Sequence, residues 1–170
     1  GRAAYGGLQI TADSPEEGRR LVVHLGEALE RPERIHRKPG GSIRYLRADE
    51  GGVNESIEQV EALVVREAER GIPAHRLILA GFSQGGAITL AAGLLRATPF
   101  AGLVALSSYL PMHDRAAQRL ATGANAQPVF MAHGLQDPVV PFTAGSASAQ
   151  VLASLGFKVD FHRYAMAHSV

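Results

Sequence analysis

From Val53 to the end of the chain, short apolar runs alternate with segments whose apolar residues recur every three or four positions. "RLILA", "LVALSS" and "VFMAH" are continuously apolar, the pattern of strands buried on both faces. Strands that alternate with helices leave few solutions. βαβ units joined by right-handed crossovers give an α/β architecture, a mostly parallel sheet flanked by helices. The spacing predicts a helix in "NESIEQVEALVVREAERG", with Ile57, Val60, Leu63, Val64 and Ala68 on one face. Ser56 and Gln59 read as its capping box, and Gly71 with Pro73 as its stop. Strands are expected at Arg76–Ala80, Gly102–Ser107, Val129–Ala132 and Phe157–Tyr164, and helices at Gln84–Arg96, Asp114–Leu120 and Thr143–Leu155.

Before this regular part the texture differs. Charges crowd between Glu16 and Glu50, broken by Pro32, Pro39, Gly40, Gly41, Gly51 and Gly52. Only Arg20–Leu25 reads as a strand there. Arg34, Arg37 and Lys38 are interleaved with Glu27, Glu30 and Glu33, which makes a solvated mixed-charge face a better reading than a phosphate site. A chain of 170 residues is most simply one domain, here with residues 53–170 as its core and 1–52 less well matched. A formal net charge of +1 gives no electrostatic case for nucleic acid or an anionic membrane. No apolar run approaches the roughly 20 residues of a spanning helix, and the first residues have no signal-peptide pattern. With no cysteine, neither disulfides nor thiolate metal sites hold the fold, and a cytoplasmic location is expected.

The chemistry concentrates in "LILAGFSQGGAITL". "GFSQG" fits G-x-S-x-G with a strand directly before it and a helix directly after. A nucleophile displayed on a sharp strand-to-helix turn sits in a strained backbone and needs minimal neighbours, which Gly81 and Gly85 supply. The same turn aims the Gln84 N–H toward a developing oxyanion. The competing reading is a glycine-rich turn that only tightens packing. A phosphate loop does not fit, since no lysine follows the glycines.

A serine needs a base, and the base an orienting acid; in this architecture the order is Ser, then Asp or Glu, then His. Downstream of Ser83 the acids are Asp114, Asp137 and Asp160. Asp114 suits a helix start, and Asp160 alternates with Val159 and Phe161 as a solvent-facing strand residue. Asp137, in "GLQDPVVP", follows a strand at its carboxyl end, where open α/β sheets build their sites; its alternative role is to cap a helix that begins at Pro138. His162 is committed to a sheet face, whereas His168 lies in the loop beyond that strand. His133 precedes the acid and reads as a packing or hydrogen-bonding residue below the site. The histidines lack zinc-binding spacing, so neither a metal nor another cofactor is expected.

Taken together, "GIPAHRLILAGFSQGGAITLAAG", "ALSSYLP", "MAHGLQDPVVP" and "YAMAHSV" resemble the phospholipase/carboxylesterase family, which includes acyl-protein thioesterases. The resemblance runs from about Asp49 to Val170 and implies the α/β-hydrolase fold, apparently truncated or altered at both ends. It implies Ser83 as nucleophile, Asp137 as acid, His168 as base and the Gln84 N–H as one oxyanion donor. The implied activity is cleavage of small-molecule or lipid-like carboxylic esters or thioesters through an acyl-enzyme. Members carry an "LHGLG"-like turn that provides a second oxyanion donor; the nearest text here is "LVVHLGEA", which makes Leu25 the candidate. Tyr109, Leu110, Val139, Val140 and Phe142 could accept an acyl chain or equally be ordinary core. The rival expectation is a weakly active or non-catalytic fragment with an incomplete oxyanion hole. Nothing in the sequence specifies an oligomeric state.

Overall fold

The computed structural model describes residues 50–169 and the backbone of three earlier strands. Within the described residues, seven strands lie side by side in chain order: β1 (Arg2–Tyr5), β2 (Leu8–Ala12), β3 (Leu21–Leu25), β4 (Leu77–Phe82), β5 (Gly102–Leu106), β6 (Val129–Gly134) and β7 (Val159–Tyr164). β1 to β3 pair antiparallel, and β3 to β7 pair parallel. The helices are α1 (Glu50–Glu69), α2 (Gln84–Leu94), the short α3 (Ala116–Arg119) and α4 (Phe142–Ser154). The strand expected at Arg20–Leu25 is β3. The rest of the charged stretch before Glu50, with Arg34, Arg37 and Lys38, lies outside the described residues.

Strand order decides where the core sits. Successive parallel neighbours advance across the sheet in one direction, so crossovers of one hand leave their helices on one face. Accordingly α2 packs on β4 and β5, α4 on β6 and β7, and α1 against α2. The strand residues facing these helices, Leu77, Leu79, Leu103, Ala105, Val129 and Met131, are each 1% exposed. Their neighbours on the opposite face, Ile78, Val104, Leu106, Phe130 and Ala132, are only half-buried. Among the described residues, helices cover only one face of these apolar strands. Leu90, Leu110 and Leu152 are fully buried, and each such side chain contributes about 1.5–3 kcal/mol.

α1 stops before Gly71 as expected but departs from its sequence reading at its start and at one position of its buried face. It starts at Glu50, ahead of the expected cap. Ser56 lies inside it, and its hydroxyl donates back to the Gly52 carbonyl at 2.7 Å instead of capping the N-terminus. Glu50 instead pairs with Arg115 at 2.7 Å. On the buried face Ile57, Val60 and Val64 appear as expected and Val53 joins them; Leu63 is half-buried, and the last position is Glu67, while Ala68 is exposed. At 3.6 residues per turn, position 67 continues the stripe from Val60 and Val64, and position 68 rotates past it. The Glu67 carboxylate accepts from Arg70 at 2.8 Å through one oxygen, while its other oxygen has no hydrogen-bond partner.

Gln127 handles burial differently. It accepts from the Phe100 N–H at 3.1 Å and donates to the carbonyls of Gly93 at 2.7 Å and Ala124 at 2.9 Å. One buried amide thus ties the end of α2 to the segments leading into β5 and β6.

Candidate active site

The carboxyl ends of β4, β5, β6 and β7 converge on one edge of the sheet. Between Phe82, the last residue of β4, and Gln84, the first of α2, the chain must reverse within a single residue. That residue is Ser83, at φ 53° and ψ −120°, a conformation that costs a non-glycine residue about 1–3 kcal/mol. The glycines answer a steric demand: a Cβ on Gly81 would overlap the backbone of Gly85 and Gly86. The turn is clamped from β5 as well. The Ser83 N–H donates to Leu106 O at 2.8 Å, and the Ser108 hydroxyl donates to Ser83 O at 2.7 Å. Ser107, before that clamp, also has a positive φ, 47°. Sequence reasoning gives Ser108 no role; a polar pair at the end of a buried strand is the signal that could have found it.

Asp137 sits in the turn after β6. Its side chain is wholly buried, and Oδ1 accepts from the N–H groups of Val139 and Val140, both at 2.8 Å. It caps this local turn; α4 begins only at Phe142, so the alternative of a helix starting at Pro138 is not what forms. Oδ2 accepts from His168 Nδ1 at 2.7 Å, and His168 Nε2 lies 3.0 Å from the Ser83 hydroxyl. Since the carboxylate can only accept, His168 carries its proton on Nδ1 and offers the Nε2 lone pair to Ser83. Burial works to raise the pKa of Asp137, but the hydrogen bonds from His168, Val140 and Val139 outweigh it and hold the carboxyl below its ordinary value.

His168 is delivered by a loop laced to the acid turn. The Leu135 N–H donates to Tyr164 O at 2.8 Å and the Gln136 N–H to Met166 O at 3.1 Å. Residues 166 and 167 pass so close over Gly134 that a Cβ there would overlap their carbonyl oxygens. The ring of Phe82 lies 4.7 Å from that of His168, centroid to centroid.

The other candidates scatter. His162 is exposed, 2.9 Å from Asp160 and stacked on Phe130 at 5.2 Å; Asp114 is exposed. Leu25 pairs in register with Gly81, two residues before Ser83, and the residues that follow it lie outside those described. Gln84 opens α2, so its N–H is one that a helix leaves without an internal partner. Among the apolar candidates, Tyr109 and Val140 share a small cluster with Ala87. Leu110 belongs to the main core, Val139 is 46% exposed, and Phe142 stacks on Phe161 at 5.8 Å.

An open parallel sheet with a serine at a strand-to-helix turn, backed by a histidine and a buried aspartate, is an α/β-hydrolase architecture. The profile of the phospholipase/carboxylesterase family matches residues 42–170, and the chain belongs to that family. It is 40% identical over 118 residues to acyl-protein thioesterase 1 of Yarrowia lipolytica, covering 68% of this chain and 52% of the relative. It is also 40% identical over 134 residues to acyl-protein thioesterase 1 of Neurospora crassa, covering 76% and 55%. Among solved structures it is similar to SOBER1 of Arabidopsis thaliana, with a TM-score of 0.68 and 32% identity over 72% of this chain and 59% of that one. The chain thus spans about half the length of the curated relatives it matches. Among the described residues no helix is long and apolar enough to cross a membrane.

Proposed function

We propose that the protein is a serine hydrolase that cleaves carboxylic esters or thioesters through an acyl-enzyme, acting in the cytoplasm. The observation that carries this reading is the continuous relay from the Ser83 hydroxyl to His168 Nε2 at 3.0 Å and from His168 Nδ1 to Asp137 at 2.7 Å. His168 takes the Ser83 proton as the oxygen attacks the substrate carbonyl carbon. Asp137 holds the imidazole in the required tautomer and stabilises its positive charge. The Gln84 N–H, at the start of α2, donates to the tetrahedral oxyanion, with Leu25 at the neighbouring strand end as our candidate for the second donor. The leaving alcohol or thiol takes the proton from His168, leaving the acyl group on Ser83. Water, deprotonated by the same imidazole, then attacks the acyl carbon, and collapse of the second intermediate returns the proton to Ser83 and frees the acid. The carboxylesterase name of its family and the acyl-protein thioesterase name of its relatives support this substrate class, and Tyr109 and Val140 are the apolar residues we assign to the acyl side.

A fluorophosphonate probe tests the assignment directly. Wild-type protein is expected to be labelled stoichiometrically at Ser83 and to hydrolyse p-nitrophenyl acetate. Ser83→Ala is expected to do neither while melting at a similar temperature. Equal labelling of the two proteins would sink the nucleophile assignment.

A further inference from the structure

We infer that His133, which takes no part in the steps above, is a positioning residue that holds the Asp137 carboxylate toward His168. This rests on the hydrolase reading and deepens it. His133 is 2% exposed, near the carboxyl end of β6, four residues before the acid. Its Nε2 lies 2.9 Å from the Val140 carbonyl oxygen. A carbonyl only accepts, so this nitrogen carries the hydrogen. The same nitrogen stands 3.6 Å from Asp137 Oδ2, the oxygen that receives the hydrogen bond from His168.

Val140 is the link between them. Its N–H donates to Asp137 Oδ1 at 2.8 Å, while its carbonyl is held by His133. Fixing Val140 on both sides fixes the turn that orients the carboxylate. The ring itself has little freedom to leave. Gly145 of α4 lies so close that a Cβ there would overlap His133 Nδ1, and Phe142 meets the ring edge-on at 6.0 Å between centroids. α4 therefore acts as a backstop for a histidine held beside the acid. Among the described residues, the titratable groups facing Asp137 are His133 from β6 and His168 from the loop after β7; α4 contains none.

The comparison of His133→Leu with His133→Gln separates positioning from packing. Gln can restore a donor near the Nε2 position, whereas Leu fills space without one. Turnover by His133→Leu is expected to fall about 10- to 100-fold with KM unchanged, the range seen when outer partners of ligating groups in metal sites are removed. Its acid limb in kcat/KM should move to lower pH, because an imidazolium less well faced by the carboxylate releases its proton more readily. The far-downfield proton resonance of the Asp137–His168 hydrogen bond should weaken in step. His133→Gln should recover the limb, the resonance and most of the turnover. Wild-type behaviour of His133→Leu overturns the inference, and so do equal losses in both variants with an unmoved limb. If the His133→Leu protein does not fold, Gly145→Ala pushes the ring from Val140 and must shift the same limb; an unshifted limb again overturns it. Absence of fluorophosphonate labelling in the wild type sinks the hydrolase reading instead, and the proton resonance then decides this inference alone.

Discussion

At the scale of single residues, Gly134 shapes the geometry in which Ser83, Asp137 and His168 meet. The backbone of residues 166 and 167 occupies the space its Cβ would need, and backbone cannot rotate aside as a side-chain tip can. Gly134→Ala should therefore lift the loop that carries His168 while leaving Ser83 and α2 untouched. A displacement of about 1 Å can cost roughly 10²-fold in rate, so kcat should fall by that order with a melting temperature lowered by only a few degrees. Undiminished kcat in the Gly134→Ala variant would show that the loop finds another route to the serine. The sequence names Ser83, Asp137 and His168 because triad chemistry requires those residue types in that order. It does not name Gly134 or Ser108, since their roles are contacts with chain segments that only folding brings near.

At the scale of elements, two buried polar side chains make opposite predictions for the same replacement. Gln127 has its donor and acceptor engaged, and Gln127→Leu would leave the buried Phe100 N–H without its partner. The expected cost is about 1–3 kcal/mol. Glu67 on α1 has one oxygen without a partner and is surrounded by Val60, Leu63, Val64, Leu77, Leu79 and Phe100. Its cation, Arg70, has a side chain 61% exposed and is solvated without it. Glu67→Leu should be stabilising by about 1–3 kcal/mol, because it removes a buried polar oxygen left without a hydrogen bond. Urea denaturation of the two variants reads both signs, and a destabilised Glu67→Leu would refute the second. Periodicity identifies α1 but places Ala68 on its buried face. The real stripe carries Glu67 there, because helical rotation, and not residue type, decides which side chain faces the sheet.

For the whole molecule, stability should depend on pH through the same carboxylate that serves the site. The pKa of Asp137 is lowered in the folded protein. Its contribution is thus fully present above the ordinary carboxylate pKa of about 3.9 and is lost as pH falls through the lower folded value. Asp137→Asn should flatten that part of the acid slope in denaturation midpoints measured below about pH 5. An unchanged slope would mean that other acids govern it.

The alternation of apolar runs and amphipathic segments determined the parallel α/β sheet from Leu77 onward, because burying both kinds of element together has few solutions. The G-x-S-x-G turn and the residues downstream of it determined where chemistry could sit, since a nucleophile at a strand-to-helix turn demands small neighbours. Only the tertiary structure decided that α1, α2 and α4 share one face, leaving Phe130 and Ala132 half-buried on the other. It alone laced the loop of His168 to the turn of Asp137 and set His133 behind that turn. These are contacts between segments far apart in the chain or matters of local rotation. The sequence specifies them jointly, through packing, and no stretch of it states them alone.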